Sequence, residues 1–167
     1  MPRKLGMTAT QRVAVLRNQA SYLLWYGRIE TTLGRAKTLR PYVEKIITLA
    51  MNTYEDTVET TVVTKDKKGK DVTTKILKDG PKKLAARRKI MTEVYDLQEQ
   101  RGRETMSEFK ARTEGVQHPL IEKIFNEIAP KYAQRAEELK QKGGYTRIYQ
   151  LGERKGDAAE TAIIELV

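Results

Sequence analysis

The chain has no cysteine among its 167 residues. This excludes disulfide bridges and thiolate zinc sites, and fits a reducing compartment. His118 is the only histidine, and Ser21 and Ser107 are the only serines. The common proton shuttles and hydroxyl nucleophiles of enzymes are therefore nearly missing. His118 precedes Pro119 at the start of an expected helix, a place for a solvated or capping histidine rather than a general base. A metal site would have to use carboxylates alone, yet Asp and Glu alternate with Lys and Arg at helical spacing, the pattern of a solvated face. Neither a metal nor a cofactor is expected. No apolar run reaches the roughly 18 residues of a membrane span. The basic run MPRKLGMTATQR lacks the apolar centre of a signal peptide, so the expected compartment is the cytoplasm.

What the chain has in excess is positive charge. Lys and Arg number 32 against 22 Asp and Glu, a formal net charge of +10. A balance this basic in a small protein points to an anionic polymer or surface. Apolar residues make up 39%, enough for one domain with a real core. Residues 1–167 read as a single domain.

Thr8 and Gln11 fit a capping box. Val13, Leu16, Ala20, Leu23 and Leu24 then form the apolar stripe of a helix over about 9–26, ended by Gly27. Asn18, Tyr22 and Trp25 fall opposite and read as a contact surface, with Trp25 folding back onto a neighbour as the alternative. A short strand is expected at 28–32. A second helix over about 33–52 buries Ala36, Leu39, Val43, Ile46, Ile47 and Ala50, with a kink at Pro41. Residues 57–78 are rich in Thr and Val around a basic centre and predict a β-hairpin. A helix follows over about 81–98, started by Asp79 or Gly80 and Pro81, with Leu84, Met91, Val94 and Leu97 inward and Arg87, Arg88 and Lys89 clustered on it. Residues 99–118 predict an irregular connection. From Pro119 a helix carries Ile121, Ile124, Phe125 and Ile128, and Pro130 starts another that runs to about Lys142. Strands are expected over about 145–151 and 161–167, the last apolar enough to be central in a sheet. The sum is α+β: helices packed on one face of a small mixed sheet, with an inserted β-hairpin.

One stretch invites a nucleotide reading: GGYTRIYQLGERKGD, residues 143–157. A Walker loop needs GxxxxGK[ST] between strand and helix, and GERKGD fits neither the spacing nor the following residue. GxGxxG is absent too. A small nucleotide-using enzyme is therefore disfavoured, and no small-molecule substrate is expected. A binding reading asks for less. A positive φ at Gly144 would release the preceding helix and let Tyr145, Arg147 and Tyr149 share a face toward RNA, the tyrosines stacking on bases and Arg147 meeting phosphate. On that reading Gly144→Val weakens binding more than Arg147→Ala. The alternative is that the tyrosines pack under a helix and the glycines only end it.

Four separated runs carry a family resemblance: RKLGMTATQRVAVLRNQASYLL, IETTLGRAKTLRPYVEKIITLA, GGYTRI and RKGDAAETAIIELV. Together and in this order they resemble the bacterial large-subunit ribosomal protein that is seventeenth in that subunit's numbering. The resemblance covers residues 3–51 and 119–167. It implies a protein with no reaction of its own, a structural constituent of the large subunit. Its partners are then the large-subunit ribosomal RNA and neighbouring ribosomal proteins near the outer end of the exit tunnel. A non-ribosomal RNA-binding or assembly factor is the alternative.

By the family's pattern, Arg3, Lys4, Arg12, Arg17 and Asn18 form an N-terminal RNA contact. Thr31, Thr32, Lys37 and Arg40 follow it. Tyr145, Thr146, Arg147, Arg154 and Lys155 form a C-terminal one. The chain departs from the pattern at Gln11, where histidine is frequent, at Gly34, where proline is frequent, in the extension EELKQK, and over 52–118. Residues from about 53 to 118 therefore read as an insertion, the hairpin plus the helix after it, with Lys67, Lys68 and Lys70 at the hairpin tip reaching peripheral RNA.

Overall fold

A computed structural model of the chain describes residues 4–65 and 71–167. Helix α1 spans Ala9–Tyr26 and is held at its start by the expected capping box. The Thr8 side chain accepts from the Gln11 amide, and the Gln11 side chain accepts from the Thr8 amide. It stops at Gly27, whose φ of 77° is left-handed. Leu16, Ala20, Leu23 and Leu24 are buried as their spacing predicts. Val13 is not; it is 42% exposed and lines a shallow groove with Tyr95.

Strand β1 (Arg28–Thr32) leads directly into α2 (Leu33–Met51). All six predicted core positions of α2 are buried, with Leu33 added. The helix continues through Pro41. The ring removes one backbone donor there, and its exposed position leaves the orphaned carbonyl to water. Strands β2 (Thr57–Lys65) and β3 (Asp71–Asp79) pair antiparallel as a separate two-stranded sheet. Val58, Ile76 and Leu77 on it are exposed.

Helix α3 (Pro81–Glu93) starts at Gly80 as expected, but the side chain that caps it is Asp56. The Asp56 Oδ2 accepts from the amides of Lys82 at 2.8 Å and Lys83 at 3.2 Å. A Cβ on Gly80 would collide with that carboxylate, so the glycine is there for close approach. The helix ends at Glu93, not near 98. Its buried face is Lys83, Ala86 and Ile90, followed by Val94, whereas Leu84 and Met91 are each 40% exposed. The face is turned because Lys83 goes inward. Its ammonium pairs with Asp79 at 3.1 Å and lies 5.9 Å from the Phe125 ring centre, while its methylenes pack.

The 99–118 segment is not wholly irregular. Helix α4 (Met106–Thr113) forms there behind a second capping box, Thr105 with Glu108. Helix α5 (Pro119–Lys123) runs into a π-helical turn (Ile124–Ile128) and then α6 (Ala129–Glu138). The expected break at Pro130 is this widened turn. The Ala129 amide bonds the Ile124 carbonyl, a five-residue reach that relieves the clash a proline ring makes with the carbonyl four residues before it.

Strands β4 (Thr146–Glu153) and β5 (Glu160–Leu166) complete a three-stranded sheet of order β1-β5-β4. The last strand is central, as its apolar content requires. Both pairings are antiparallel, which corrects the expectation of a mixed sheet; each connection returns the chain in the opposite direction. Helices α1 and α2 cover one face of this sheet and the 119–138 helical run packs on those two helices, so the fold is α+β. Ile164 and Ala162 of β5 are fully buried in that layer.

Candidate nucleic-acid interface

Of the residues expected to meet RNA, Arg3, Lys67, Lys68 and Lys70 lie outside the described residues. Lys4 is exposed just before α1. On α1, Asn18 is exposed, while Arg12 and Arg17 are half-buried. The Arg17 Nε is buried without a hydrogen-bond partner among the described residues, and the Ser21 hydroxyl donates to the Arg17 carbonyl at 2.8 Å. Arg17 thus lies partly behind the surface.

The TTL segment divides the same way. The Thr31 hydroxyl accepts from the Gln19 side chain at 2.9 Å, tying β1 to α1. Thr32 occupies the N-cap position of α2 without a side-chain cap bond. Lys37 and Arg40 project from the exposed side of α2. Arg40 pairs with Glu44 at 3.4 Å. The same Glu44 oxygen accepts from the Thr146 hydroxyl at 3.0 Å. Two expected contact residues are therefore brought together by a carboxylate that sequence reasoning did not single out.

The glycine stretch resolves into an inner and an outer part. Gly143 and Gly144 have φ of 101° and 64°, so the left-handed release is present. It does not turn Tyr145 outward. Tyr145 precedes the first residue of β4, is 3% exposed, and packs against Tyr132 with ring centres 5.0 Å apart. Its carbonyl accepts from the Tyr132 hydroxyl at 3.3 Å and from the Val167 amide at 3.0 Å. Burial pushes the Tyr132 hydroxyl up to about 12. For Tyr145 the packing alternative holds, and Thr146 is buried as well. Outward alternation begins with Arg147 and Tyr149, both exposed. Arg147 stands opposite Glu165 of β5, which stands opposite Arg28 of β1.

At the β4–β5 turn, Arg154 and Asp157 form a two-pronged ion pair, Nε to Oδ1 at 2.9 Å and Nη2 to Oδ2 at 2.6 Å. The guanidinium, then the Ala159 amide, holds the Asp157 carboxyl down to about 2. Arg154 is exposed but partly spent within its own turn. Lys155 beside it is exposed and makes no ion pair among the described residues.

The Arg87-Arg88-Lys89 cluster divides too. Arg88 and Lys89 are exposed. Arg87 is turned in, bonding Glu122 through both terminal nitrogens at 2.6 and 3.1 Å. Its Nε lies 2.5 Å from Asp79, without its hydrogen aimed at that carboxylate. Arg87 holds the Glu122 carboxyl below its usual range, which marks a clamp between α3 and α5.

The opposite face of α1 is corrected at one position. Trp25 is half-buried against the core, and the Lys123 ammonium donates to its carbonyl at 2.8 Å. Tyr22 and Asn18 do face out. Signals the sequence reading passed over include Tyr26, Arg28 and Lys131, all exposed.

A groove of about 700 Å³ lies between α2 and α3 and is lined by Tyr42, Lys45, Leu49, Lys89, Ile90 and Glu93. Its Tyr42 hydroxyl donates to the Glu93 carbonyl and carboxylate. Burial, then Glu93, pushes that hydroxyl far above the ordinary tyrosine value. The half-buried His118 pairs with Asp96 at 3.0 Å. Among the described residues no His, Asp and Glu group is arranged to hold a metal ion, and no helix is long and apolar enough to cross a membrane.

These features define a small, strongly basic α+β protein in which several exposed arginines are already paired to carboxylates while Lys4, Lys37, Arg147 and Lys155 stand exposed. The sequence model of the family described as Ribosomal protein L17 matches residues 15–167. Among curated relatives, the large ribosomal subunit protein bL17 of Lachnospira eligens is 40% identical over 185 aligned positions, covering 99% of this chain and 98% of that protein. That of Acetivibrio thermocellus is 38% identical over 189, with the same coverage. That of Clostridium acetobutylicum is 35% identical over 165, covering 99% and 96%. The chain belongs to the ribosomal protein L17 family.

Proposed function

We propose that this chain is a structural constituent of the cytoplasmic large ribosomal subunit, which binds large-subunit ribosomal RNA and has no reaction of its own. The observation that carries this reading is the nearly end-to-end match to relatives named as large-subunit proteins. A net charge of +10 supports it. The mechanism is electrostatic and geometric. Lysines and arginines release counterions from phosphates, and the fold fixes where those charges stand.

The contact set is Arg3, Lys4, Arg12, Asn18, Lys37, Arg40, Arg147, Arg154 and Lys155, joined by Lys67, Lys68 and Lys70. Arg17, Thr31, Thr32, Tyr145 and Thr146 act as positioning residues behind it. The seat is near the outer end of the exit tunnel, beside other ribosomal proteins. Residues from about 53 to 118 form an insertion in the single rRNA-binding domain, with α3 seated in the common core through Ala86 and Ile90.

Gradient sedimentation of tagged chain tests the reading. The protein should travel with large subunits and stay with them through a moderate salt wash. Free protein at the top of the gradient, or transient association only with immature particles, would replace this reading with that of an assembly factor. Affinity for large-subunit RNA should also fall with salt, each neutralised phosphate adding up to about 0.7–0.9 to the log–log slope by the rule for DNA; a flat profile would contradict phosphate-driven binding.

A further inference from the structure

The outward face of α1 carries Asn18, Tyr22 and Tyr26 at four-residue spacing. Side chains four apart lie one above the other on a helix. The Tyr22 and Tyr26 rings are stacked accordingly, with centres 5.9 Å apart and planes 8° from parallel. Tyr26 is 65% exposed and Tyr22 42%. Neither is core, and the fold has no use for the outer ring of the pair.

Beside Tyr26 the surface is concave. A pocket of about 240 Å³ opens between the end of α1 and the 119–138 helical run, lined by Trp25, Tyr26, Lys123, Glu127, Lys131 and Tyr132 among others. Lys123 is committed to Trp25, donating to its carbonyl and lying 5.4 Å from its ring centre. Lys131 is exposed and makes no ion pair among the described residues. Arg28, two residues past Tyr26, is exposed as well. Lys123 and Lys131 against Glu127 leave the lining of this pocket net positive around aromatic faces. That combination suits a base with its phosphate better than an apolar protein patch.

We propose that the C-terminal end of α1 is a stacking platform for an unpaired RNA base, with Tyr26, backed by Tyr22, offering the ring face and Lys131 meeting the adjoining phosphate. This rests on the RNA-binding reading above and names one contact within it.

Trp25 is the only tryptophan of the chain and lines the pocket, so its fluorescence reports on this site alone. The full chain is titrated with a short unstructured single-stranded RNA and with an abasic ribose-phosphate polymer of equal length. The base-bearing RNA should bind more tightly and quench Trp25, and the abasic polymer should bind without quenching. Tyr26→Ala should weaken RNA binding by roughly five- to a hundredfold, the range of one aromatic–base stack, and leave abasic binding unchanged. Tyr26→Phe keeps the ring and should bind like the parent. The ring is mostly exposed, so both variants should keep the parental circular dichroism. If Tyr26→Ala binds RNA like the parent, or loses both polymers equally, the platform is overturned and the RNA-binding reading stands. If the parent binds neither polymer, both fall.

Discussion

Replacing Gly144 by valine separates the backbone's role from the contact surface. The position has φ +64°, and a Cβ there meets nothing within 4 Å. The penalty is therefore conformational rather than steric crowding. Left-handed geometry costs an L-residue about 1–2 kcal/mol, and a β-branched side chain belongs at the upper end. The turn has little freedom to relax, because Tyr145 is buried next and Thr146 is bonded to Glu44. For a chain of this size each kcal/mol moves the melting temperature by about 2–4 °C, so Gly144→Val should melt roughly 2–8 °C lower. Gly144→Asn should lose less, since asparagine tolerates this region. Gly156→Ala is the control: that glycine has no left-handed φ and open surroundings, so the change should stay within about 0.5 kcal/mol.

The same series decides what the turn does for RNA. Sequence alone ranks Gly144→Val as more damaging to binding than Arg147→Ala. The structure reverses the order, because Tyr145 is inside and Arg147 is the exposed group. Well below both melting points, Arg147→Ala should weaken RNA binding about tenfold or more, the loss of one charge-assisted contact. Gly144→Val should bind close to the parent. Filter binding on variants with parental circular dichroism measures both. An unchanged melting temperature for Gly144→Val would refute the backbone argument, and weaker RNA binding than Arg147→Ala would refute the inward placement of Tyr145.

Three further outcomes are expected. Ile164→Ala in the central strand should cost about 2–5 kcal/mol by cavity formation, whereas half-buried Ile163→Ala on the outward face should cost about half as much or less; equal losses by denaturant titration would deny that the sheet has one covered face. Replacing 58–78 with a flexible linker, keeping Asp56 as the cap of α3 and Asp79 as the partner of Lys83, should leave the chain folded and incorporated into subunits, and its absence from subunits would make the arm part of the core. Asp157→Asn frees Arg154, so the salt slope of RNA binding should steepen by up to about 0.7–0.9. Because the Asp157 carboxyl is depressed to about 2, the pair should be complete above the ordinary carboxylate range and disappear only as pH falls through that value, which carboxylate NMR titration reads directly.

Helix α2 is legible because its apolar spacing and its burial coincide: Ala36, Leu39, Val43, Ile46, Ile47 and Ala50 are all inside. Helix α3 defeats the same rule. Lys83 is 8% exposed, and a binary pattern has no means of counting a lysine as core. Its burial depends on Asp79 and Phe125, and the second lies 42 positions away. Helix α4 fails in the opposite sense. The Thr105 to Glu108 capping signature was present to be read, but no residue of α4 is buried, so no apolar stripe drew attention to it.

For the site, counting cations finds exposed groups on α1, α2 and the β4–β5 turn but misjudges which of them already have carboxylate partners. Arg40 with Glu44 and Arg154 with Asp157 are pairings at helical and turn spacing, within reach of sequence reasoning. The bond from Thr146 to Glu44 spans 102 positions, and the Arg87 clamp on Glu122 spans 35; both depend on the tertiary fold. Trp25 shows the same limit on one helix face. Its angular position on α1 is outward like that of Tyr22, but Lys123, 98 positions on, draws it against the 119–138 run. Tyr26 has no such partner and keeps its stacked place over Tyr22. A helix face in isolation cannot distinguish these aromatics. The cation that arrives from elsewhere in the chain does, making one ring part of the wall and leaving the next open to a ligand.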